Sequence, residues 1–165
     1  MKYLKRFVDI LLVIYLLTLA AVSVPVLFGF RVYTVVSQSM APAITVGSAV
    51  YVKKTAFDQI SEGDVITYSF ANNTTVTHRV WKKDTETASV ITKGDANEQP
   101  DGTTVPREHI IGVVRFHVPY LGYAAIMLGS VGEKLLLAGG LVWLLLMQGI
   151  LTNILEIRQK GVNII

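Results

Sequence analysis

Cysteine is absent from the 165 residues, which excludes disulfides, thiol catalysis and thiolate metal sites. Histidine is scarce, at three residues, and no pair of motifs has metal-ligand spacing. There is no glycine-rich phosphate loop, internal repeat or low-complexity tract. The pattern implies no cofactor. Charge is missing from two long runs, residues 10–30 and 135–155, each 21 residues long. At about 1.5 Å of rise per residue, 21 residues match the roughly 30 Å hydrocarbon core of a bilayer.

Both runs therefore read as transmembrane helices. The second is diluted by Gly139, Gly140 and Gln148, so a buried core helix is its alternative reading. The first has the basic start of a secretory leader, and Ala20-Ala21-Val22-Ser23 resembles a cleavage site. Its length exceeds that of a leader's apolar region, which favours an anchor.

The net charge of +3 gains meaning from its distribution. Residues 31–117 carry nine basic and nine acidic side chains, whereas Lys2, Lys5 and Arg6 precede the first run and Arg158 and Lys160 follow the second. The surplus is an orientation signal: both termini are expected in the cytoplasm and the intervening domain outside the cell membrane. No nucleic-acid footprint is present.

Between the runs, β-branched alternation predicts strands near residues 32–36, 48–54, 65–70, 75–82, 88–93 and 110–117. Turn signals separate them at Ser61-Glu62-Gly63-Asp64, Ala71-Asn72-Asn73, Lys83-Asp84-Thr85-Glu86 and residues 97–102. The expected fold is mainly β, a small antiparallel sheet or barrel flanked by N-terminal and C-terminal membrane helices. The expected organisation is a flank and span over residues 1–30, a β domain over 31–117, an interfacial connector over 118–134, a second span over 135–155 and a tail over 156–165. Asn72-Asn73-Thr74-Thr75 contains two overlapping glycosylation sequons.

Ser37-Gln38-Ser39-Met40-Ala41-Pro42 follows the first span by only a few residues. A serine hydroxyl becomes a nucleophile only beside a base, with donors for the developing oxyanion; taken alone, the hexapeptide is equally a turn at a strand end. His78 shares a strand face with Val76 and Val80, as a core histidine would, yet an imidazole can accept a proton at neutral pH. His109 and His117 read as surface or interfacial residues. Lys53, Lys54, Lys82, Lys83 and Lys93 are alternative bases if desolvated. Asp95 and Asp101 lie in the loop Lys93-Gly94-Asp95-Ala96-Asn97-Glu98-Gln99-Pro100-Asp101. Either can orient an imidazole or cap its own loop.

Four blocks in this order after an N-terminal anchor, residues 37–42, Gly63-Asp64-Val65-Ile66, His78-Arg79-Val80 and residues 93–101, resemble the type I signal peptidases. The likeness is to their ER-type branch, found in eukaryotes, archaea and some Gram-positive bacteria. The resemblance implies a β catalytic domain that takes substrate as an extended strand, with shallow pockets for small side chains. It implies Ser39 as nucleophile and His78 as general base, where the bacterial branch uses lysine. Asp101 matches the aspartate placed against the histidine, and Asp95 a supporting position, with an exchange of these two roles open. Ser37 and the Ser39 amide match the oxyanion hole.

The implied partners are signal peptides of exported preproteins and the bilayer, with export machinery or accessory membrane subunits as further candidates. Gln38 stands where glycine is common and Ala41 where glutamate is common; neither supplies nucleophile or base. Two other readings remain: a serine peptidase with a lysine base, and a catalytically silent anchored β domain that binds exported chains or scaffolds an export complex.

Overall fold

A computed structural model describes residues 2–70, 74–127 and 131–162. In chain order the elements are α1 (Lys2–Leu27), β1 (Phe30–Thr34), β2 (Ala49–Lys53), β3 (Val65–Phe70), β4 (Thr74–Asp84), β5 (Ser89–Lys93), β6 (Thr104–Pro106), β7 (Ile110–Val118), α2 (Leu121–Met127) and α3 (Val131–Val162). Short 3-10 turns lie at Phe57–Gln59 and Arg107–His109. The turn signal at Ala71-Asn72-Asn73, with the asparagines of both sequons, lies outside the described residues. So do residues 128–130 of the expected connector and 163–165 of the expected tail.

The chain divides into two units, Met1–Ala21 with Met127–Ile165, and Val22–Ile126. In the first, both helices are long and apolar enough to cross a bilayer. Val8 and Leu12 pack with Leu144 and Leu151, flanked by Tyr15, Leu141 and Met147. These positions recur every three or four residues, so each helix contributes one stripe. Gln148 Nε2 donates to Asp9 Oδ1 at 3.0 Å and Lys5 Nζ to Asp9 Oδ2 at 3.0 Å. The polar residue that dilutes the second run is thus satisfied by the other helix. Gly29, at φ +81°, stops α1; its N–H returns to the Val26 carbonyl at 3.0 Å, a left-handed end that a side chain would resist.

The second unit is one antiparallel sheet of seven strands in the order β1-β2-β7-β3-β4-β5-β6. Successive residues Val65 and Ile66 of β3 enter different clusters, so the sheet is packed on both faces. One cluster joins Ile60, Ile66, Tyr68, Val80, Val90, Val105 and Val113. The other joins Val35, Met40, Ile44, Val50 and Val52.

Three bulges re-phase the sheet. Arg115 is the extra residue of β7 against β2, Ile111 against β3, and Trp81 the extra residue of β4 against β5. After Trp81 the alternation flips, so Lys83 rather than Lys82 follows Val80 onto the Ile60 face. There its Nζ donates to the carbonyls of Phe57, Asp58 and Ile60 at 2.9, 3.3 and 2.7 Å and lies 4.8 Å from the Phe57 ring.

Candidate active site

The segment from Val35 to Ser48 leaves β1 and returns to β2, closed at its base by Val35 N–H to Ser48 O at 2.9 Å and Gly47 N–H to Val35 O at 2.8 Å. Met40, 1% exposed, plugs the second cluster. Its burial fixes the backbone beside it, leaving Ser39 half-buried and Ser37 and Gln38 exposed. Ala41 N–H bonds to Gln38 O at 2.9 Å, closing the turn that the hexapeptide predicts. Ser37 Oγ and Ser39 Oγ lie 3.1 Å apart.

The acidic loop is attached to this segment through the backbone. Ala96 N–H donates to Ser39 O at 2.9 Å. A Cβ on Gly94 would stand 2.6 Å from the same Ser39 carbonyl oxygen and 2.8 Å from Asn97 Nδ2. Glycine is therefore required for close approach.

His78 and Arg79 are neighbours on β4 and point to opposite faces. His78 Nδ1 and Asp101 Oδ2 are 2.6 Å apart, with the two side chains 12% and 20% exposed. Arg79 takes the other aspartate: Nε to Asp95 Oδ1 at 2.8 Å, Nη2 to Asp95 Oδ2 at 2.7 Å and Nη1 to the Gly63 carbonyl at 2.8 Å. The bonds it donates to Asp95 hold the Arg79 guanidinium above its usual pKa, against desolvation, which acts the other way. The two aspartates that the sequence leaves interchangeable thus stand against different partners.

Asp101 is further held by its own N–H to Thr92 O at 2.8 Å and by Thr92 Oγ1 to Oδ2 at 2.6 Å. Tyr68 Oη lies 3.2 Å from Thr92 Oγ1. Neither Thr92 nor Tyr68 was identifiable from sequence, since both are ordinary strand residues there.

No hydrogen bond joins Ser39 to His78 among the described residues; the Ser39 hydroxyl meets Ser37 instead. Serine–base contacts commonly tighten only when substrate is bound. The lysines are occupied or exposed: Lys83 on its carbonyls, Lys53 5.2 Å from the Phe30 ring and Lys93 4.9 Å from the Trp81 ring, with Lys54 and Lys82 exposed. None of the five bonds to Ser39. His109 and His117 are exposed. Among the described residues no three His, Asp or Glu side chains converge as a metal ion needs.

No family model matches the chain. Signal peptidase I W of Bacillus subtilis is 35% identical over 113 residues, covering 63% of this chain and 60% of that protein. The signal peptidase complex catalytic subunit sec11 of Schizosaccharomyces pombe is 30% identical over 146 residues, covering 71% and 77%. The corresponding subunit of Fusarium vanettenii is 30% identical over 110 residues, covering 60% and 64%. The chain thus spans less than two thirds of the Bacillus and Fusarium relatives and more than three quarters of the fission-yeast one. It is a membrane protein, and both its likeness to the sec11 subunit along most of that protein's length and the mainly β sheet between apolar helices agree: the chain belongs to the type I signal peptidases, in their ER-type branch.

Proposed function

We propose that this chain is a membrane-bound serine endopeptidase that removes N-terminal signal peptides from exported preproteins, cleaving after small residues in Ala-x-Ala sites. The observation that carries the reading is the pairing of His78 Nδ1 with Asp101 Oδ2 on a loop whose Ala96 N–H holds the Ser39 carbonyl. One loop thereby ties the nucleophile's backbone to the group that orients the base.

In the reaction, Ser39 Oγ attacks the scissile carbonyl while His78 Nε2 takes its proton. Asp101, accepting from Nδ1–H, fixes the tautomer and stabilises the imidazolium. The carbonyl oxygen becomes an oxyanion, met by the Ser39 amide and by the Ser37 hydroxyl, which turns from Ser39 to the new charge. Collapse breaks the peptide bond, and His78 returns its proton to the leaving amine of the mature protein. Water, activated by His78, then hydrolyses the acyl-enzyme and frees the signal peptide. Arg79 and Asp95 support the loop and do not touch the reacting atoms.

In this reading residues 31–117 form the catalytic domain, and residues 10–30 and 135–155 span the cell membrane with both termini cytoplasmic. Surface labelling of a tag at either terminus of intact cells would refute that orientation. Export machinery or accessory membrane subunits are further partners. A silent binding domain is disfavoured by relatives named as a peptidase and as catalytic subunits. A lysine base is disfavoured by the occupied or exposed lysines. The deciding experiment incubates the purified full chain, in liposomes, with a preprotein carrying an Ala-x-Ala site. Cleavage by the wild type and none by Ser39→Ala is expected; equal cleavage by both sinks the reading, and retained activity in His78→Ala favours the lysine alternative.

A further inference from the structure

We propose that Thr92 and Tyr68 are positioning residues for the reaction at Ser39, a buried chain of hydroxyls that fixes Asp101 and, through it, the His78 ring. This inference rests on the catalytic reading above. Asp101 Oδ2 accepts two bonds, from His78 Nδ1 and from Thr92 Oγ1, each 2.6 Å. A threonine hydroxyl has one proton, and this one is committed to the carboxylate. The contact between Thr92 Oγ1 and Tyr68 Oη, 3.2 Å, must then run the other way, with the phenol donating. The order is Tyr68 to Thr92 to Asp101, with His78 donating from the opposite side.

Burial protects the chain from competition by water. Thr92 is fully buried and Tyr68 is 4% exposed. Hydrogen bonds in such surroundings are electrostatically stronger, and successive donors polarise one another. Burial raises the Tyr68 pKa; the bond to Thr92 opposes this and the Asp101 charge adds to it. A raised pKa favours the protonated phenol, the form that can donate to Thr92.

The residue types also require explanation. Valine would serve β5 and phenylalanine would fill the first cluster as well as Thr92 and Tyr68 do, so it is the hydroxyls that have a separate purpose. Asp101 belongs to a loop without regular structure, whereas Tyr68 and Thr92 are on β3 and β5. Through them, two strands on either side of β4 set the carboxylate's rotamer, and hence the plane of the imidazole.

The test uses the full chain in detergent micelles, with Thr92→Val, Thr92→Ser and Tyr68→Phe. Cleavage of an Ala-x-Ala preprotein should show kcat about tenfold lower in Thr92→Val at nearly unchanged KM, most of it recovered in Thr92→Ser, and a loss of about threefold in Tyr68→Phe. A second readout is independent of peptidase activity: the downfield proton resonance of His78 Nδ1–H should weaken or move upfield in Thr92→Val and return in Thr92→Ser. If Thr92→Val leaves both kcat and the resonance as in the wild type while Ser39→Ala is inactive, the positioning role is wrong and the catalytic reading stands. If Ser39→Ala still cleaves while the resonance follows Thr92, the catalytic reading is wrong and the hydroxyl chain stands as a structural one.

Discussion

Arg79 binds both carboxylate oxygens of Asp95, at 2.8 and 2.7 Å. One residue earlier on the same strand, His78 faces the opposite side and meets Asp101. Adjacent residues of β4 thus hold the two acids of one loop against different partners, which in the proposed reading makes one a support and the other an orienting group.

Asp101→Asn is accordingly expected to lower kcat by about 10³- to 10⁴-fold, because the amide favours the wrong imidazole tautomer. Asp95→Asn should cost about tenfold, accompanied by a lower unfolding temperature, since one charge-assisted bond of a partly exposed pair is lost. Steady-state cleavage beside thermal denaturation separates the two, and the opposite ranking in kcat would exchange their roles.

Ser37→Ala should leave KM near its original value and lower kcat by about 10²-fold, the usual loss for one oxyanion donor. A change confined to KM would mean that Ser37 serves the turn or substrate binding instead.

Gly94→Ala places a methyl group 2.6 Å from the Ser39 carbonyl oxygen. The nearest obstacle is backbone, so the loop must retreat, at about 1–3 kcal/mol. Lower thermal stability and lost cleavage should appear together, because the bond from Ala96 N–H to Ser39 O goes with the displacement. An active, fully stable variant would contradict the close approach.

Lys83→Met keeps the apolar stem and deletes the ammonium that serves three carbonyls. Loss of a charged donor should destabilise the β domain by about 1.5–3 kcal/mol while kcat stays within about twofold. A chemical denaturation midpoint and the cleavage assay read the two effects separately; a large fall in kcat would implicate Lys83 in the chemistry.

Residues 65–70 are legible as a strand from alternation alone, and they form β3. Strand β6, three residues ending in Pro106, is too short and proline-bearing to show a period. The helix Leu121–Met127 lies within the stretch read as a connector, where glycines mask helical spacing. In the site, Ser39, His78 and both aspartates stand out as residue types. Their pairing does not, because it depends on which face of β4 each neighbour takes and on where the loop closes. Thr92 and Tyr68 were invisible for a plainer reason: threonine and tyrosine are common strand formers, and only their buried oxygens distinguish them.

Trp81, the unmatched residue of β4, divides the strand into two lengths counted from different origins. The part before it presents His78, and the part after it presents Lys83. Lengthening or rewriting the hairpin tip beyond Trp81 therefore leaves the phase of His78 untouched. The bulge gives the fold a joint at which the phase of the Lys83 half is set separately from that of the His78 half.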